Sequence, residues 1–219
     1  MTVLLIADDH PLFREALRGV ATRVFPGTTI HEADQFGRLY DLVEAHPDAD
    51  MLLLDLDMPG ARGFSALVHL RAVHPQLPIV IVSAHEDPLT IRRAIDHGAL
   101  GFIPKSSDAQ ILGLALKQIL EGFPWTPDYM DDSAGADDDE LLVADRVREL
   151  TPQQFRVLQM LSSGQLNKQI AYELNVSEAT IKAHMTHILR KLGASNRTQA
   201  VMIASKLGIP DDPNTGSLT

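Results

Sequence analysis

Met51-Leu52-Leu53-Leu54-Asp55-Leu56-Asp57-Met58-Pro59-Gly60 is an apolar run that stops on a carboxylate and then turns. So short a run, closed by Pro and Gly, reads as a strand buried on both faces with its tip at Asp55. A second run, Val3-Leu4-Leu5-Ile6-Ala7, ends in the same manner on Asp8-Asp9-His10-Pro11. In a parallel α/β sheet the ligand crevice lies just outside the carboxyl ends of the strands, so Asp8, Asp9 and Asp55 converge there despite their separation in sequence. Converging carboxylates hold back one another's ionisation unless a cation lies among them, and an oxygen cluster suits a hard ion such as Mg²⁺. The expectation is an acidic, metal-filled pocket suited to phosphate chemistry.

Outward from this stretch, β-rich runs at 3–7, 28–33, 50–54, 79–83 and 100–103 alternate with helical periodicity at 11–24, 35–46, 63–74, 88–97 and 108–120. Strands separated by helices cannot be joined by hairpins. The pattern therefore predicts an α/β fold, a (βα)5 doubly wound parallel sheet covered on both faces and built from right-handed crossovers. Pro11 just inside the first helix, Pro47 after the second and Gly98 after the fourth are boundary signals of the expected kind.

From Gly122 to about Glu149 the composition changes. Asp128, Asp131, Asp132, Asp137, Asp138, Asp139 and Glu140 stand among Ser, Gly and Ala, which predicts an extended, self-repelling spacer; a short helix around residues 140–149, where apolar and charged residues mix, stays open. Beyond Thr151 the pattern is helical throughout. Thr151 is an N-cap followed by Pro152, Gly164 stops that helix, a second covers residues 167–174, Ser177 caps a third through Leu192, and Asn196 caps a fourth through Lys206. The short Asn175-Val176 turn makes the middle pair a helix-turn-helix candidate. The expected division is 1–121, a linker 122–148, a helical module 149–208 and a tail 209–219.

Charge follows the same division. Residues 1–150 carry −13 and residues 151–219 carry +3 of the formal net −10, so a basic module is tethered to an acidic one and only the second is suited to a polyanion. The 219 residues contain no cysteine, which excludes disulfides, thiolate catalysis, zinc ribbons and iron–sulfur clusters. No apolar stretch reaches the roughly 18 residues of a membrane span, and the opening residues lack the basic flank of a secretory signal, so the expected address is the cytoplasm with no membrane partner.

With these elements in place, Asp8-Asp9-His10-Pro11, Asp55 with Met58-Pro59-Gly60, Ser83-Ala84 and Gly101-Phe102-Ile103-Pro104-Lys105, each closing a strand, resemble a response-regulator receiver domain over residues 1–121. Leu150-Thr151-Pro152-Gln153-Gln154, Asn167-Lys168-Gln169-Ile170-Ala171, Ser177 through His184, Arg190-Lys191-Leu192-Gly193 and Asn196-Arg197-Thr198-Gln199-Ala200 resemble the LuxR-type helix-turn-helix over 149–208. Together they match the two-domain layout of the NarL/LuxR (FixJ) family. The resemblance implies a two-component regulator of transcription, not an enzyme with an external substrate. It makes Asp55 the carboxylate that accepts a phosphoryl group from a sensor histidine kinase. It makes Asp9, Asp55 and the Asp57 carbonyl ligands of Mg²⁺, with Asp8 acting through a coordinated water. Ser83 and Lys105 correspond to the groups that bind the new phosphate, and Phe102 to the aromatic residue that follows Ser83.

The resemblance also implies partners: double-stranded DNA, the transcription machinery, and a second copy of the chain when phosphorylated or DNA-bound. Helical spacing turns Val176, Ile181, His184, Ile188 and Leu192 largely inward and leaves Lys182, Ala183, Thr186 and Arg190 for a groove. By analogy with the family, Lys182, Ala183 and Thr186 fall at base-reading positions, and Asn167, Lys168, Thr180 and Arg190 at phosphate-contacting ones. Active receivers of this family either free the recognition helix from receiver contacts or promote dimers.

Three rival readings fit less well. Asp55-Leu56-Asp57 also resembles the haloacid-dehalogenase signature, but Pro59 follows Met58 where that signature continues with Thr or Val, and its place is the first strand. A helical module that has lost DNA affinity is opposed by Lys168, Lys182 and Arg190. His184 and His187 share a helix face but have no acidic or Cys partner nearby for a metal, and His10 is expected to orient its loop.

Overall fold

The structure, a computed structural model, describes residues 2–59, 63–128 and 137–208. The expectations placed on Gly60, Asp131, Asp132 and the tail 209–219 lie outside the described residues. Strands β1 (Val3–Ala7), β2 (Thr29–Ala33), β3 (Met51–Leu54), β4 (Ile79–Ser83) and β5 (Gly101–Pro104) form a parallel sheet in the order β2-β1-β3-β4-β5. Helices α1 (Pro11–Val24), α2 (Phe36–Ala45), α3 (Ser65–Val73), α4 (Pro88–Asp96) and α5 (Ala109–Leu120) connect and flank the strands. This is the (βα)5 arrangement read from the sequence, with element ends within two residues of expectation.

Every residue of β3 and β4 is buried, because α1 and α5 pack on one face of the sheet while α2, α3 and α4 pack on the other. That double cover is why these strands are continuous apolar runs with no polar alternation. The register pairs Ala7 with Leu54 and Ser83 with Pro104, so the chain leaves β1, β3, β4 and β5 at one edge of the sheet. The strand order reverses between β1 and β3, at the point where such sheets open a crevice.

The carboxy-terminal unit contains α7 (Pro152–Ser162), α8 (Asn167–Glu173), α9 (Glu178–Leu192) and α10 (Arg197–Ser205). Its punctuation is that expected: Thr151 and Gln154 form a reciprocal capping box, and Ser177 and Asn196 each accept a backbone N–H of the following helix. The α8–α9 turn places Asn175 at φ 51°, a left-handed conformation that Asn tolerates because its short polar side chain bonds locally.

The acidic segment is where the structure corrects the sequence. Over its described residues it is no extended, self-repelling spacer. Trp125 pairs with Gly101 beside β5, and Asp138–Arg148 forms a helix, α6, in the region where a short helix was left open. Asp137 caps α6, and Asp138, Asp139 and Glu140 occupy its first turn, where the positive end of the helix dipole favours carboxylates. Val143, Ala144 and Val147 give it a buried apolar face. Clustered acids that looked like a solvated run are thus the N-terminal signal of a docked helix.

Through α6 the two units become continuous. One apolar cluster runs from the sheet face under α2, α3 and α4 into Val143, Ala144, Val147, Leu150, Phe155 and the core of α7–α10. Helix α3 is buried on both sides, from Ser65 to Leu70. Its His69 stacks on Phe155 of α7 at 4.1 Å between ring centroids, with Nδ1 2.9 Å from the Tyr40 hydroxyl and Nε2 3.1 Å from the Leu150 carbonyl. Gln159 donates to Ser65 at 3.1 Å, and Arg156 pairs with Asp41. Phe64 N donates to the Leu207 carbonyl at 2.7 Å, an approach open to Gly63, whose Cβ, if present, would lie 2.3 Å from that oxygen.

Burial lowers the His69 pKa from 6.5 to about 4, although the bond to the Leu150 carbonyl works the other way and nearby His74 adds to the lowering. A neutral ring meets both partners by donating from Nε2 and accepting the Tyr40 hydroxyl at Nδ1. A histidine whose pKa is depressed in the folded state leaves stability intact above its free pKa, and stability falls as pH drops from about 6.5 toward 4. The expected outcome is a loss of folding stability over that window approaching about 3 kcal/mol. Thermal unfolding of wild type and of His69→Gln, compared pH by pH, isolates this contribution from the carboxylates; parallel curves would contradict it.

Candidate functional site

At the carboxyl edge of the sheet, the loops after β1 and β3 bring Asp8, Asp9, His10 and Asp55 together, each offering a ligand atom within 4.8 Å of the others. Asp8 and Asp55 are buried, Asp9 is half-buried, and His10 is exposed. Lys105, directly after β5, reaches across with Nζ 2.7 Å from Asp8 Oδ2 and 2.8 Å from Asp55 Oδ2. Its position is fixed from behind, where its backbone N–H donates to the Ser83 carbonyl at 2.8 Å. The convergence expected from strand-end carboxylates is present, with an ammonium among them.

The ionisation of the pocket follows from this crowding. Burial raises the Asp55 pKa from its ordinary value, and the neighbouring Asp8 adds to the rise; the Lys105 hydrogen bond and charge and the Asp57 N–H oppose it. For Lys105, burial favours the neutral amine, but hydrogen bonds and charges from Asp55 and Asp8 outweigh burial and raise its pKa. The backbone holds the acids in place: His10 N donates to Asp8 Oδ1 at 2.7 Å, and Asp57 N to Asp55 Oδ1 at 3.2 Å. His10, expected to orient its loop, does so through that N–H, while its ring Nδ1 lies 2.8 Å from Asp9.

The remaining expected residues fall as follows. Ser83 ends β4, fully buried, and its Oγ accepts the His85 N–H at 3.1 Å. Phe102 is fully buried in the cluster that contains Ile91 and Ala94 of α4. The Asp57 carboxylate is not part of the acidic group; its Oδ2 lies 2.7 Å from His85 Nε2, which leaves the Asp57 backbone as the candidate ligand. Three carboxylates with oxygen donors so close together fit a small, hard divalent ion.

The second candidate surface lies on α9. Ile181, Ile188 and Leu192 are buried and Val176 and His184 half-buried, while Lys182, Ala183, Thr186 and Arg190 are exposed, as the periodicity predicts. Lys168 is also exposed, and Asn167 and Thr180 are half-buried. The docked arrangement therefore leaves the expected reading face uncovered. Missed altogether from sequence were His69, Arg93, His97 and Glu140, which join the two units. Glu140 carried a usable signal as a first-turn acid ahead of Val143 and Val147; an arginine or histidine on an amphipathic helix carries none.

Comparison with known sequences decides the family. A model of the response-regulator receiver domain matches residues 4–117, and one of the bacterial regulatory proteins of the luxR family matches residues 148–204. This chain belongs to the LuxR-type response regulators. The glycerol metabolism activator of Pseudomonas putida is 41% identical over 213 residues, covering 94% of this chain and 96% of its own length. The nitrate/nitrite response regulator NarL of Escherichia coli K12 is 31% identical, covering 92% and 93%. Among solved structures, a LuxR family DNA-binding response regulator from Silicibacter pomeroyi superposes with a TM-score of 0.52 at 34% identity, covering 58% of this chain and 98% of that one. RcsB of Salmonella enterica serovar Typhimurium bound to a promoter gives 0.55 at 24% identity over 94% and 98%, a likeness of fold.

In this response regulator the first stretch contains the acidic pocket and the second contains α9. Replacing Lys105 by Met leaves Asp8 and Asp55 facing each other without a cation, so the Asp55 carboxyl is expected to titrate at higher pH than in wild type in metal-free NMR. An unchanged titration would show that Lys105 does not govern the pocket.

Proposed function

We propose that Asp55 accepts a phosphoryl group from the phosphohistidine of a sensor kinase and that this event controls binding of the α9 surface to specific double-stranded DNA. The observation that carries the reading is the approach of Lys105 to both Asp55 and Asp8 at the switch-point edge of the sheet. An Asp55 oxygen forms the new bond to phosphorus as the histidine nitrogen–phosphorus bond breaks, giving an acyl phosphate. Lys105 pairs with the added charge, and the Ser83 hydroxyl, now engaged by the His85 N–H, is the group available to bond a phosphate oxygen. Asp9 and Asp55, with the Asp57 carbonyl and Asp8 through water, would hold Mg²⁺. Bound there, Mg²⁺ neutralises charge on the transferring oxygens. Phe102 is assigned to report the Ser83 position to the cluster below.

On the DNA side, Lys182, Ala183 and Thr186 are assigned to base edges, and Asn167, Lys168, Thr180 and Arg190 to phosphates. Support comes from their exposure or partial exposure on α8 and α9 and from the positive charge of this unit. The reading places the protein in the cytoplasm; no helix among the described residues is long and apolar enough to cross a membrane. Two copies bound to half-sites about one DNA turn apart match the family's mode of action, with output to the transcription machinery.

Incubation with acetyl phosphate and Mg²⁺ is expected to add one phosphoryl group to the wild type and none to Asp55→Asn, read by intact mass; equal labelling of the two would overturn the assignment. In promoter binding, Lys182→Ala is expected to cost about 1–3 kcal/mol, and Lys168→Ala to lower the salt dependence by about one ion. Indifference to both would favour a protein-interaction role for the helical unit.

A further inference from the structure

Lys105 reaches the acids on a flexible four-carbon stem, and holding such a side chain in one place costs rotamer entropy. Its side chain is nevertheless only 14% exposed, with Nζ within 2.8 Å of both Asp8 Oδ2 and Asp55 Oδ2. His10 Nδ1 lies 3.4 Å from the same nitrogen. A further neighbour is apolar. Phe13, in the first turn of α1, lies beneath the ammonium, with Nζ 5.1 Å from the ring centroid. Among the described residues no other lysine lies over an aromatic ring.

The placement of that ring follows from the start of α1. Pro11 opens the helix, and Phe13 is half-buried, packed against the cluster between α1, the sheet and α5 that contains Leu17, Leu112 and Leu116. The next residue, Arg14, donates from Nη1 to the Asp8 carbonyl at 2.6 Å and has Nε 3.6 Å from Glu32. One helical turn thus ties down the backbone of an acid through Arg14 and offers a ring to the ammonium through Phe13.

We propose that Phe13 is a positioning residue for phosphoryl transfer: its ring holds the Lys105 ammonium inside the acidic pocket, ready to pair with a phosphoryl group arriving at Asp55. This deepens the proposed function and rests on it for the reaction. The face of an aromatic ring carries the negative part of its quadrupole, so it attracts an ammonium without accepting an ordinary hydrogen bond. The three N–H donors of Lys105 stay available for oxygens. A carboxylate in the place of Phe13 would compete with Asp55 and the phosphoryl oxygens for those donors. An aliphatic side chain would exclude water there but leave the charge unattracted. Aromaticity, beyond bulk, is therefore what the position requires.

The six lysines of the full chain can be labelled with ¹³C and observed in the metal-free protein, the Lys105 signals being those lost in Lys105→Met. The Phe13 ring current is expected to move the Lys105 Hε protons upfield of those of the other lysines, Phe13→Tyr to keep that shift and Phe13→Leu to abolish it. With acetyl phosphate and Mg²⁺, phosphoryl uptake followed by intact mass is expected to be about fivefold slower in Phe13→Leu and unchanged in Phe13→Tyr. If Phe13→Leu folds poorly, Phe13→Met, whose flexible apolar side chain adapts to the same space, is expected to show the same slowing. A wild-type spectrum without the upfield shift, or uptake by folded Phe13→Leu or Phe13→Met as fast as wild type, overturns the proposal. Absence of uptake by the wild type would instead overturn the proposed function, while the ring-current comparison still decides whether Phe13 holds Lys105.

Discussion

Helix α3 is buried on two sides at once, against the sheet and against α6 and α7, and the remaining architecture follows from that double burial. A helix that faces solvent on one side can shift at little cost. One packed on both sides moves only if a neighbour moves too, because interiors packed at crystal-like density transmit displacement. Helix α3 is thus the element through which the sheet face and the carboxy-terminal helices pack on one another.

The pocket itself is a problem in electrostatics solved locally. Burial beside Asp8 favours protonation of Asp55, and Lys105 offsets it from across the crevice. With three carboxylates already facing one ammonium, a phosphoryl group with its further negative charge perturbs the pocket strongly. Ser83 ends β4, and Phe102, within β5, lies in the same cluster as Ile91 and Ala94 of α4.

Much of this was legible from the residues alone. Strand tips ending on Asp8, Asp55 and Ser83 declare themselves because buried parallel strands are uninterrupted apolar runs, and the helices after Thr151, Ser177 and Asn196 declare themselves through caps with a local hydrogen-bonding mechanism. The exposed side of α9 followed from helical spacing. What the sequence concealed was long-range: His69 on Phe155 and Glu140 between Arg93 and His97 have no signature, because each partner is ordinary in its own segment. The acidic stretch misled for a different reason. Its charge density signals repulsion when summed, whereas residue by residue it is an N-cap and a first helical turn.

Hydrogen exchange of the α6 backbone amides, followed in the full chain with and without acetyl phosphate and Mg²⁺, tests most directly whether chemistry at the acidic pocket reaches the helical unit. The account predicts protected amides across Leu141–Arg148 in the untreated chain and a marked loss of that protection once Asp55 is phosphorylated. Protection that is unchanged by confirmed phosphorylation would contradict it.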